Sequence, residues 1–116
     1  MKFGHLELFV ADSQRARKFY EEVLGFELVE EQGKCIWLRL DSVEILLRLG
    51  ATPPPAQDYG QSHSAIVLYT DDLPGTRAQL EARGLVFAGS DGSVNCPTFT
   101  DLDGHWFQLV DPRDHA

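Results

Sequence analysis

Residues 4–28 read GHLELFVADSQRARKFYEEVLGFEL, and the fold turns on this stretch. Its first part alternates, so that Leu6, Leu8 and Val10 share one face of an extended chain and His5, Glu7 and Phe9 the other. Asp12 and Ser13 then supply capping oxygens, and Ala16, Phe19, Tyr20, Val23 and Leu24 recur at the spacing of one helix stripe until Gly25 stops it. The pattern predicts a strand leading directly into an amphipathic helix over about residues 13–24.

After the helix, FELVEE, KCIWLRLD and SVEILLRLG are alternating or apolar stretches parted by short polar turns, which predict a strand and a hairpin. The first half, residues 1–50, therefore reads βαβββ. Residues 51–62, ATPPPAQDYGQS, hold three consecutive prolines and predict an extended connector. Residues 63–112 repeat the order. HSAIVLYTD is a strand, Asp71 and Asp72 precede a helix with Pro74 in its first turn and Gly84 beyond its end, and LVFAG, CPTFTD and HWFQLVD give three more strands. A duplication at about 60 residues is too long for a solenoid and predicts two supersecondary units sharing one core, an α+β chain folded as a single domain over 1–116.

Composition narrows the function. Ten Lys and Arg against 18 Asp and Glu leave a formal charge of −8, which argues against nucleic acid, whose phosphates demand a cationic surplus, and suits a cationic ligand. No apolar run approaches the roughly 20 residues of a membrane span. MKFGHLEL enters a strand pattern with no leader-like stretch, so a cytoplasmic location is expected. Cys35 and Cys96 belong to no CxxC and read as packed, reduced thiols.

The opening HLELFVAD…FYEEVLGF together with the closing DLDGHWFQL resembles the glyoxalase, bleomycin-resistance and ring-cleaving dioxygenase superfamily, the vicinal oxygen chelate proteins, over nearly the whole chain. The resemblance implies two βαβββ modules whose curved sheets surround a groove, often within a homodimer. It also implies four inward metal ligands, usually His and Glu, on a divalent Zn, Ni, Mn or Fe ion with open positions for substrate. Carried over residue by residue, the first ligand position is His5, seven residues before Asp12, and the second is Glu44, six before Gly50. The third is Ala65, which has no donor atom, and the fourth is Gln108, four residues after Gly104. His63 lies two residues from Ala65, about 6 to 7 Å along a strand, too far to take its place without a slip of register.

Two readings of the site stand side by side, with a third in which the chain is a structural or regulatory module whose groove has lost its ligand altogether. In one, the chain binds a planar or cationic small molecule without chemistry, in a groove lined by Glu7, Phe9, Trp37, His63, Val67, Tyr69 and Trp106. In the other, it is a metal-dependent lyase, isomerase or dioxygenase that binds its ion through His5, Glu44 and Gln108 and uses Glu44 as the catalytic proton carrier. The losses at positions 65 and 108 favour binding. His105 and His115 are expected to face solvent.

Overall fold

The computed structural model describes residues 1–93 and 95–115, except the side chain of His115, whose expected exposure lies outside the described residues. The chain divides into two compact units, Met1–Pro53 and Pro54–Ala116. The boundary falls within the three prolines, and the rest of the connector belongs to the second unit.

The first unit runs β1 (Leu6–Val10), α1 (Ser13–Glu22), β2 (Glu27–Gln32), β3 (Cys35–Leu40) and β4 (Val43–Leu49). Its sheet has the order β1-β4-β3-β2, with β1 parallel to β4 and the other pairs antiparallel. The Asp12 carboxylate accepts hydrogen bonds from the amides of Gln14 and Arg15, covering donors that an α-helix leaves open at its start. At the other end Gly25 adopts φ +81 and the Phe26 amide reaches back to the Tyr20 carbonyl, which closes the helix. Ala16 and Tyr20 on the inner stripe of α1 are buried, as are Ile36, Leu38, Ile45 and Leu47 on the sheet face beneath it. Period 3.6 on the helix and period 2 on the strands thus converge on one core.

The second unit contains β5 (Ile66–Tyr69), α2 (Leu73–Ala82), β6 (Thr98–Thr100) and β7 (Trp106–Val110), in a sheet of order β5-β7-β6. Here β5 and β7 are parallel while β6 and β7 are antiparallel. Asp72 caps α2 through the Gly75 amide, and Leu80 points inward. The expected strand at LVFAG is not formed. Residues 85–89 follow β6 only through hydrogen bonds between Ala88 and Thr98 and between Thr98 and Gly89, then a single bridge between Ser90 and Pro97. Gly89 turns the backbone to φ +75, and after one more bond, from the Asp91 amide to the Cys96 carbonyl, the bend over 91–93 ends the pairing. The connector is likewise not extended throughout, since Tyr59–Gln61 form one 3-10 turn. No disulfide joins Cys35, half-buried on β3, to Cys96, which is buried. Among the described residues no helix is long and apolar enough to cross a membrane.

Candidate functional site

In the first unit, the face turned away from α1 carries His5, Glu7 and Phe9 from the β1 side, Glu44, Leu46 and Arg48 from β4, and Trp37 and Arg39 from β3. Register sets their neighbours: Glu7 lies opposite Leu46, Leu46 opposite Trp37, and Glu44 opposite Arg39. Continuing the β1 register back by one residue brings His5 level with Glu44 on the adjacent strand, about 5 Å away between backbones. The His5 ring meets Trp37 edge-on at 4.4 Å, and Glu7 is ion-paired to Arg48. Phe9 remains open to solvent, packed over Gly50, where an added Cβ would meet its ring at 2.5 Å.

In the second unit, the corresponding face carries Val67 and Tyr69 from β5, Trp106, Gln108 and Val110 from β7, and Thr98 from β6. Val67 lies opposite Gln108, and one step back brings Ala65 level with Trp106. Strand β5 starts only at Ile66, so His63 sits in the exposed bend before it and not on the sheet face. Trp106 is buried, its indole N–H donating to the Ala56 carbonyl at 3.0 Å, so it does not stand open as a groove wall.

The two units can be set level by their capping aspartates. Gln108 is the strand partner of Val67, five residues before Asp72; the residue five before Asp12 is Glu7, and its partner is Leu46. Position 108 therefore corresponds to Leu46, and Glu44 corresponds to Trp106. Counting back from Gly50 and counting along the register disagree by two residues. By register the four corresponding positions are His5, Leu46, Ala65 and Gln108, of which only two have donor atoms.

Gln108 itself is committed inside its own unit. The Asp91 carboxylate is held below the usual carboxylate range, first by the Ser93 amide, so it remains ionised and can only accept hydrogen bonds. The amide nitrogen of Gln108 therefore faces Asp91, and its oxygen accepts from the Tyr59 hydroxyl at 3.0 Å. Burial, then the Asp91 charge, pushes the Tyr59 phenol above its usual range and keeps the proton on it. The Tyr59 ring stands edge-to-face with Trp106 at 6.2 Å between centroids. A metal ion approaching the Gln108 oxygen would compete with the Tyr59 hydroxyl for it. Among the described residues no three His, Cys, Asp or Glu side chains are grouped to hold a metal.

Beyond Gln108 along the same face opens a pocket of about 360 Å³ lined by Val67, Tyr69, Gln108, Val110 and Pro112. Tyr69 is 73% exposed and Val67 46%, while Gln108 is 8% exposed at the pocket's inner end. The turn before β7 is held by Asp101, which is buried and accepts from the amides of Asp103 and His105 and from His105 Nδ1 at 2.6 Å. His105 is thus half-buried and bound, not solvent-facing, because its own turn supplies the acceptor. Gly104 in that turn adopts φ +86 and lies so close to Pro55 that a Cβ would come within 2.3 Å of the proline Cβ. Sequence reasoning missed Tyr59, Asp91, Val110 and Pro112; the one signal for Tyr59 was an aromatic residue alone in a polar connector.

A family model described as the glyoxalase/bleomycin resistance protein/dioxygenase superfamily matches residues 2–109, and the chain belongs to that superfamily. It is 26% identical over 115 residues to the uncharacterized protein YetH of Bacillus subtilis, covering 93% of this chain and 96% of that one. Among solved structures it resembles TnmS3, an antibiotic binding protein from Streptomyces sp. CB03234, at 25% identity and a TM-score of 0.72, over 96% of this chain and 98% of the other. The fosfomycin resistance protein FosX of Listeria monocytogenes, solved with Mn(II) and sulfate, shares the fold with a TM-score of 0.76 at 16% identity, over 95% and 89% of the two chains.

Proposed function

We propose that the protein binds an aromatic small molecule and does no chemistry on it, sequestering a drug or metabolite. The observation that carries this reading is the engagement of Gln108 by Tyr59 and Asp91, beside an open pocket walled by Tyr69, Val67 and Val110. A ligand there has an aromatic wall, two aliphatic side chains and one polar anchor, the usual balance of a small-molecule site. The likeness to an antibiotic binding protein supports it, and the charge of −8 favours neutral or cationic ligands over anions. Calorimetric titration with a panel of flat aromatic compounds, neutral, cationic and anionic, tests the reading. Saturable binding without consumption of the compound is expected, weakened about 10-fold by Tyr69→Ala, the scale of one aromatic contact. A panel with no binder overturns it.

A metal-dependent lyase, isomerase or dioxygenase is the second reading, favoured by one observation, His5 level with Glu44 on neighbouring strands. Titration with Zn, Ni, Mn and Fe(II) salts decides between the two, and tight stoichiometric binding would promote the enzyme. We also propose a homodimer, because Phe9 leaves an apolar side chain exposed on the sheet face turned away from α1 that a second copy can cover. Light scattering is expected to give twice the 13.0 kDa chain mass; a single-chain mass at all concentrations refutes the dimer.

A further inference from the structure

The connector does more than join the units. Residues 54–61 lie across the Trp106 end of the second sheet, with Pro55 against Gly104, the Ala56 carbonyl on the Trp106 indole and the Tyr59 hydroxyl on Gln108. Gln108 is the meeting point, covered on one side by this segment and open on the other to the pocket. Tyr59 therefore offers the sheet an aromatic ring for Trp106 and an O–H for the Gln108 oxygen, and it does so from a single 3-10 turn. We propose that Tyr59 is a tethered competitor for the ligand, and that the molecule which displaces it carries the same pair of features, an aromatic ring with a hydroxyl donor on its edge.

This rests on the small-molecule reading and names the ligand class within it. A side chain on a short tether acts at high effective concentration, so the free protein spends most of its time closed and the apparent affinity falls by the open fraction. Asp91 works in the same direction, because an ionised carboxylate fixes the Gln108 amide with its oxygen toward Tyr59, where it selects a donor.

The test uses the intact protein with naphthol and, as the ring lacking a donor, naphthalene. Naphthol is expected to bind more tightly than naphthalene, and Tyr59→Phe is expected to bind naphthol about 2- to 10-fold more tightly than the parent, the range spanned by one neutral hydrogen bond. Hydrogen exchange on the unaltered protein gives a second measure. Saturation with naphthol is expected to speed exchange at the amides of Gln61 and Ser62, which bond to the carbonyls of Asp58 and Tyr59 while the segment is closed. Equal or weaker binding by Tyr59→Phe, no preference for naphthol, or unchanged exchange at Gln61 and Ser62 would each overturn the proposal. If other aromatic compounds bind through Tyr69 but naphthol does not, the competitor idea fails and the binding function stands; if nothing binds, both fail.

Discussion

Gln108 holds its position through two hydrogen bonds of different kinds, and substitutions separate them. Gln108→Leu fills similar volume but strands the half-buried Tyr59 hydroxyl, so unfolding free energy should drop by about 1 kcal/mol, as read by urea denaturation. Gln108→Glu sets a second carboxylate beside ionised Asp91. The repulsion raises the introduced group's folded value, so the destabilisation should be present at neutral pH and shrink as the medium is made more acid. An equal loss at pH 5 and pH 7 would contradict the close approach to Asp91. At this scale the sequence placed His5, Ala65 and Gln108 by a fixed count from a capping aspartate or a turn glycine, and strand pairing shows only where on the sheets they stand. Glu44 was placed by counting from Gly50, and the pairing of β1 with β4 puts it level with His5, whereas the position matching Gln108 by register is Leu46. Tyr59 and Asp91 were not legible, since neither lies in a periodic element and their shared partner is 49 and 17 residues away.

Elements show which local rules the fold depends on. Asp12 caps α1 with one carboxylate oxygen serving two amides, so Asp12→Ala should cost about 1 kcal/mol and fray the helix start, visible as faster exchange at Gln14 and Arg15. Gly104→Ala meets two obstacles, a left-handed backbone worth about 1–2 kcal/mol and the Pro55 ring. The proline should move, loosening the Ala56 bond to the Trp106 indole, and acrylamide quenching of tryptophan should rise. Quenching equal to the parent's would contradict the packing of the connector on this turn. Both helices and seven strands could be read from periodicity and caps. Residues 85–89 could not, although their alternation is real: Leu85 is buried and Val86 is 80% exposed. Alternation reports which way side chains point, and it says nothing of how many backbone bonds a neighbouring strand returns.

For the whole molecule, charge sets the response to pH. His105 sits above the usual imidazole range because Asp101 accepts its Nδ1–H, against the opposing effect of burial. Its contribution is complete below about 6.5, the unfolded value, and is lost as pH rises through the folded value. Asp111 is held below the usual carboxylate range by the Arg113 side chain, so its contribution is present above about 4 and is lost as pH falls through the folded value. Denaturation curves across this span should show His105→Ala flattening the alkaline side and Asp111→Asn the acid side; unchanged slopes would contradict those pairings. The strand orders β1-β4-β3-β2 and β5-β7-β6 also bear on how the polypeptide is made. The first sheet has all its strands once residue 49 has emerged from the ribosome, whereas the middle strand of the second sheet is the last to be synthesised. Until Val110 is out, β5 and β6 have no partner between them and expose unpaired edges. A nascent chain stalled before Trp106 would carry a folded first unit and a second one open to capture by chaperones or proteases.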